Sequence, residues 1–337
     1  MASRWPVPSG LEGIRGQTAC GLETARCNFA ANIAAWRDCF RRRRARFATA
    51  RPAFWGSWAY LSLVTVILFA LILDGPVGAY RRQWSPELIG LARQLTHYGK
   101  SDWILIPIGI FLLLCAFGNW SGLRRRDRAF LGRWTMATAF VFVCVAVPGL
   151  ISAILKGVIG RGRPGHFAEH GSLAFNPLPF DASWASFPSG HATVMGALGA
   201  ALALLCPPLR LHILAVAIFI AATRVLVGAH YPSDVAAGLA FGAWSAYFAA
   251  YGCANLGIIF AHGDGMLPRP RRGFVLIPRS FRIFAAGSLS AIATAFTSRA
   301  PNGERQAVIA ENDNQPEVGP EIGSELGIVP LRAAGTA

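Results

Sequence analysis

The sequence predicts an all-α fold, a polytopic membrane protein built as a bundle of six transmembrane helices, and three observations carry that prediction. The 337-residue chain is 53% hydrophobic and only 15% charged, a balance that one soluble core of ordinary surface-to-volume ratio cannot accommodate. Its apolar residues gather in six long runs that are almost free of charge. Its arginines gather before the first run, between the second and third, and after the sixth, as topology signals do. A soluble reading would need six fully buried core helices in one small protein.

The elements follow in chain order. Residues 1–50 are basic, with Arg41–Arg44 and Arg46 at their end and no continuous apolar core, so they are expected to be a disordered cytoplasmic leader without a cleavable signal. The first span, Ala53 to Leu73, must then direct insertion itself. In Gln83 to Thr96, Trp84, Leu88, Ile89, Leu91, Ala92 and Leu95 mark a short amphipathic helix lying on the outer surface. Trp103 to Leu123 and Trp134 to Leu155 are the second and third spans, joined through Arg124, Arg125, Arg126, Arg128 and Arg133. The long loop from Lys156 to Pro188 is rich in Gly, Pro and His. Ala192 to Leu209, Ile213 to Ala229 and Val235 to Ala261 complete the six, the fifth interrupted by Arg224. Each approaches or exceeds the roughly 17 to 25 residues that cross a hydrocarbon layer.

Beyond them, Ile283 to Ser298 is too dotted with small polar residues for a seventh span and reads as an interfacial stretch. From Pro301 the chain is polar, mildly acidic and aromatic-free, the composition of disorder. Three regions result: a leader (1–50), a six-helix domain (51–262), and a cytoplasmic tail (263–337) that is basic and then acidic.

The net charge of +15 would suit a nucleic-acid partner, but its distribution points elsewhere. If six helices alternate in direction, Arg41–Arg51, Arg124–Arg133 and the group Arg269, Arg271 and Arg272 all fall on one side. The positive-inside rule makes that side cytoplasmic, with both termini there, and its arginines meet anionic headgroups. Seven cysteines form no disulfide framework: Cys115, Cys144, Cys206 and Cys253 sit inside spans, while Cys20, Cys27 and Cys39 lie in the reducing leader. Arginine-heavy composition suits a bacterial inner membrane.

Three clusters remain, and all of them fall on the opposite, external side. The first is Lys156-x6-Arg163-Pro164. Of 32 basic residues all but Lys100 and Lys156 are arginine, so a lysine at the end of the third span is a conspicuous choice. It offers a compact ammonium, and Arg163 a planar fork for bidentate phosphate binding. The second is Pro188-Ser189-Gly190-His191, at the start of the fourth span. Ser189 stands at a helix N-cap, Gly190 admits a ligand close to the backbone, and free amides at a helix start attract anions. His191 beside them is placed to give a proton to a departing oxygen. The third is Thr223-Arg224-x5-His230-x3-Asp234. An arginine near the end of an apolar helix needs a polar pocket. Asp234, four residues after His230 and two after Pro232, is expected to take one ring N–H and leave the other nitrogen free. Together these residues suit a site that grips a phosphate and attacks it, although chemistry alone does not say which histidine attacks.

The three clusters resemble the signature motifs of the type 2 phosphatidic acid phosphatase superfamily, which includes membrane lipid phosphate phosphatases and soluble vanadium haloperoxidases. The resemblance covers about residues 53 to 261, and its one departure is Thr223, where the pattern usually has serine. It implies that Lys156, Arg163, Ser189, Gly190 and Arg224 bind the phosphate. It further implies that His230 attacks phosphorus to form a phosphohistidine, that Asp234 orients it, and that His191 protonates the leaving group and then activates water. No cofactor or metal is called for, since cationic side chains neutralise the transition state. The implied substrate is a membrane lipid with a phosphomonoester or diphosphate headgroup: phosphatidic acid, phosphatidylglycerol phosphate, undecaprenyl diphosphate and lipid A all fit. The alternatives are a carrier or binding protein for phosphorylated lipids and a vanadate-dependent haloperoxidase.

Overall fold

Residues 9–46, 55–120, 122–178, 181–263 and 266–274 of the protein are described by a computed structural model. Within them the chain is helical: α1 (Ser9–Arg46), α2 (Gly56–Ile72), α3 (Asp74–Tyr80), α4 (Pro86–Thr96), α5 (Asp102–Phe117), α6 (Arg125–Ile159), α7 (Phe167–His170), α8 (Gly190–Leu205), α9 (Arg210–Leu226) and α10 (Pro232–Asn255). Helices α2, α5, α6, α8, α9 and α10 stand at the six expected spans, and α4 is the expected amphipathic segment, started by Ser85, whose Oγ accepts the Leu88 N–H. By length and apolarity, Pro86–Phe117, Arg125–Ile159 and Pro207–Leu226 are able to cross a membrane. The pair α2 and α3, bent by 42°, makes a fourth candidate.

The two remaining helices fall short of that measure for a structural reason. Helix α8 has 16 residues, about 24 Å at the helical rise, and it lies at the centre of the bundle against α6, α9 and α10. Its partner α10 is rich in Gly and Ala because the two backbones nearly touch. A Cβ on Gly242 would lie 2.1 Å from the Thr193 carbonyl oxygen, and one on Gly196 would lie 2.3 Å from that of Leu239. Small residues at such crossings are how helices associate where lipid removes the hydrophobic drive. Outward-facing Leu61, Leu114, Leu150 and Phe219 on α2, α5, α6 and α9 are exposed, as side chains facing acyl chains are.

The leader departs from the disorder expected of it. Helix α1 packs on α5, where Asn32 Nδ2 donates to the carbonyls of Ala116 and Gly118, each at 2.9 Å, and Phe29 stacks on Phe117 with centroids 5.1 Å apart. The last carbonyls of a helix need donors, and Asn32 supplies one. Phe29, Asn32, Ile33, Trp36 and Phe40 recur at helical spacing, a signal that the arginines and polar residues around them masked. The start of the tail is also ordered, since Arg269–Pro270 pairs antiparallel with Phe260–Ala261. Ile283 to Ser298 and the acidic tail lie outside the described residues.

Candidate active site

The site forms where four helix ends meet: the C-terminal ends of α6 and α9 and the N-terminal ends of α8 and α10. Gly160, with φ of +61°, ends α6 in the left-handed conformation and turns the chain just after Lys156. Ser189 is the N-cap of α8 and Pro232 opens α10 after the N-cap Tyr231. The Ser189 N–H donates to the Asp234 carbonyl at 3.1 Å, which ties the two N-termini together.

The residues expected to bind phosphate converge here. Lys156, Arg163 and Arg224 lie within electrostatic reach of one another, and a Cβ on Gly190 would be 3.2 Å from Lys156 Nζ. Among the described residues, Arg163 Nε, Arg224 Nε and Ser189 Oγ are buried without a hydrogen-bond partner. Buried polar atoms are normally satisfied, so three orphaned groups from three separate motifs mark a place built for an acceptor. Arg224 is steadied from α4, where its Nη1 donates to Thr96 Oγ1 at 3.2 Å.

His191 sits among Arg224, His230, Lys156 and Lys100, with its ring against Gly99. Both lysines of the chain therefore approach the same histidine. His230 is buried, and its Nδ1 lies 2.8 Å from the Ser186 carbonyl. A carbonyl oxygen can only accept, so Nδ1 carries the proton and Nε2 presents a lone pair. Here the expected geometry needs a correction. Asp234 Oδ2 is 3.8 Å from Nδ1, too far for a hydrogen bond. Its oxygens are instead claimed by Arg161 Nη1 at 2.5 Å, Ser186 Oγ at 2.6 Å and the Tyr231 N–H at 2.9 Å. Asp234 acts on His230 through charge, and through Ser186, whose hydroxyl it holds while the same residue's carbonyl takes the ring proton.

Beneath the histidine lies a network of which the sequence revealed only Asp234. Arg161 is buried and joins two buried carboxylates, Asp74 Oδ2 at 2.7 Å and Asp234 Oδ1 at 2.5 Å. It also donates to Ser233 Oγ and the Ser172 carbonyl, each at 2.7 Å, and its guanidinium lies 4.6 Å from the centroid of the Tyr231 ring. Asp74 in turn accepts from the Ser233 N–H at 3.0 Å. Burial works against the Arg161 charge, but Asp234 and Asp74 overcome it and hold the guanidinium above its ordinary value. A lone aspartate at the end of an apolar span is costly unless paired, and that was the available signal for Asp74.

Such chemistry, set into a bundle of apolar helices, defines the chain as a membrane phosphatase. The family model of the PAP2 superfamily matches residues 137–257, which contain all three motifs. A lipid A 1-phosphatase of Rhizobium etli is 39% identical over 226 residues, which make up 66% of this chain and 95% of the relative. A lipid A 1-phosphatase of Rhizobium johnstonii is 38% identical over 242 residues, 71% of this chain and 97% of that one. Among solved structures, a transmembrane PAP2-type phosphatidylglycerolphosphate phosphatase from Bacillus subtilis aligns with 55% of this chain and 92% of its own, at 23% identity and a TM-score of 0.38. The chain belongs to the PAP2 superfamily.

Proposed function

We propose that this membrane lipid phosphatase removes the 1-phosphate of lipid A, or of a lipid of that kind, at the non-cytoplasmic face of a bacterial inner membrane through a phosphohistidine on His230. The observation that carries the mechanism is the tautomer: the Ser186 carbonyl accepts from the Nδ1 N–H, and the Nε2 lone pair is left near Arg163 and Arg224, whose buried Nε atoms have no hydrogen-bond partner. The choice of substrate is supported by the relatives, whose similarity runs over nearly their whole length.

Lys156, Arg163, Arg224, Ser189 and the Gly190 backbone hold the phosphoryl oxygens. Nε2 forms a bond to phosphorus as the P–O bond to the lipid breaks, and the leaving oxygen takes a proton from His191. His191 then removes a proton from water, whose oxygen attacks phosphorus, and the N–P bond breaks to release inorganic phosphate. The cationic surroundings of His191 make a bound phosphate the source of the negative charge that lets it carry its proton. Two carboxylates against one guanidinium leave the network under His230 one positive charge short. The imidazole supplies that charge as it becomes cationic on phosphorylation, so the transition state is stabilised more than the ground state. Arg161 and Asp74 are thus positioning residues. The charge pattern supports the external face, with the arginines of the α5–α6 loop at the other end of the bundle.

The test is inorganic phosphate release by detergent-purified wild type and His230→Ala across lipid A, phosphatidic acid, phosphatidylglycerol phosphate and undecaprenyl diphosphate, with EDTA present. Wild type is expected to favour lipid A, and the variant to lose about 10⁴-fold or more. Release persisting in His230→Ala would overturn the nucleophile; complete loss with EDTA, restored by Mg²⁺, would overturn the metal-free chemistry. Movement of lipid without hydrolysis would favour a carrier. A reporter within 165–181 should behave as external and one after Leu209 as cytoplasmic, and the reverse would move the site to the other compartment.

A further inference from the structure

The long external loop carries a second group of ligating side chains, which the phosphatase chemistry does not use. After Arg163 the chain makes a 3₁₀ turn, Pro164–His166, and then the single turn α7. His166, Glu169 and His170 project from these turns so that one ligand atom from each lies within 4.8 Å of the other two. His170 Nδ1 and Glu169 Oε2 are 3.7 Å apart. Two imidazoles spaced four residues apart on a helical turn share a face, and two imidazoles with a carboxylate are a donor set for borderline divalent metals. Ligand atoms around a tetrahedral Zn²⁺ stand about 3.4 Å apart, given bonds of about 2.0–2.2 Å. The side chains of His170 and Glu169 are 48% and 75% exposed, so small rotations close the remaining gap without repacking.

The cluster is also held from behind. The Trp184 indole stacks on His166 with centroids 5.0 Å apart and planes at 24°, and it meets His170 edge-on at 5.7 Å. Two rings braced by one indole lose less freedom on binding than two free side chains. Phe167, between the ligands, packs where a side chain at Gly78 would lie, which anchors α7 on α3.

We propose that His166, Glu169 and His170 form a binding site for Zn²⁺ or a similar divalent transition metal on the external face, separate from the catalytic histidines. Its position gives it a route to the substrate site. The His166 N–H donates to the Arg163 carbonyl at 2.9 Å, and the Arg163 N–H donates to the Ser183 carbonyl, next to Trp184, also at 2.9 Å. An ion that fixes His166 and Trp184 therefore fixes the backbone that carries Arg163. The site does not depend on the phosphatase reading.

Calorimetric titration of tag-free, EDTA-stripped protein with Zn²⁺ alone provides the test, with Co²⁺ as a spectroscopic probe. Wild type and His230→Ala are expected to bind one ion at this site and, with Co²⁺, to show the visible bands of low-symmetry coordination. His166→Ala and His170→Ala should each weaken binding at least about tenfold, the loss expected of a ligand when supporting residues alone cost 10–100-fold. All three ligands are at least partly exposed, so an unchanged Tm of the metal-free variants shows that they fold. Zn²⁺ affinity equal to wild type in the His166→Ala/His170→Ala double variant, or binding abolished in His230→Ala alone, would overturn the proposal.

Discussion

Arg161 and Arg163 leave the same loop on either side of Gly162 and end in opposite surroundings. Arg161 is buried with two carboxylates, a serine hydroxyl, a carbonyl and an aromatic face around it, and every direction in which its fork points is answered. Arg163 is half-buried, and its Nε has no partner. The contrast separates two uses of the same side chain. A compensated buried cation fixes structure, because any displacement strands two carboxylates. One with an unpartnered buried N–H stores binding capacity, because an incoming anion completes it. The site is thus a rigid, slightly negative base under His230 and an open, positive rim above it.

The largest expected effect exposes this division directly. Removing one partner of a buried ion cluster costs about 3–5 kcal/mol, so Arg161→Ala should sharply lower Tm in detergent and abolish phosphate release. Arg163→Ala should leave Tm close to wild type and reduce kcat/KM by about 10²–10³, the loss seen when one donor to a developing anion is removed. Equal Tm losses would mean that both arginines are structural.

Asp74 sharpens the comparison at a smaller scale. Asp74→Asn keeps the shape and some hydrogen bonds but removes one negative charge, so the network is no longer one positive charge short. Stability should fall by about 1.5–3 kcal/mol, the range for hydrogen bonds to charged groups. Turnover should fall further than stability explains, because the charge that favoured a cationic His230 is gone. Thermal unfolding and single-turnover phosphate release on the same preparation separate the two losses, and an unchanged turnover would remove Asp74 from the mechanism.

The rim was legible in the sequence, and of the base only Asp234 was. Lys156, Arg163, His191, Arg224 and His230 stand at fixed spacings at the ends of apolar spans, where a charged residue needs a reason. Arg161 lies inside the same spacing yet reads as one more arginine of an arginine-rich chain, and its partners are 87 and 73 residues away. Ser186 acts through its backbone carbonyl, which any residue type possesses, so no residue code announces it. The spacing of His230 and Asp234 suggested a direct bond, but the capping of α10 turns the carboxylate toward the Tyr231 N–H. Helix α1 was missed because arginines and small polar residues hid its narrow contact face, whereas the six central helices were legible from their apolar length.

The smallest effect is a shift in pH dependence, and its sign tests base against rim. Burial pushes the His230 ring below its ordinary value of 6.5; Asp234 pulls it upward, and Arg224 and Arg163 push it further down. The proposed attack requires the neutral ring, so on that mechanism protonation removes activity only as pH falls through this lowered value. The acidic limb of kcat/KM, which reports the free enzyme, should therefore lie below pH 6.5. Arg163→Ala removes a repulsion and should move that limb to higher pH, whereas Asp234→Asn removes an attraction and should move it to lower pH. Ionisation of the lipid phosphate itself is common to all three proteins and cancels in the comparison. Opposite shifts in the two variants would identify His230 as the group between rim and base; shifts of the same sign would assign the limb to a different residue.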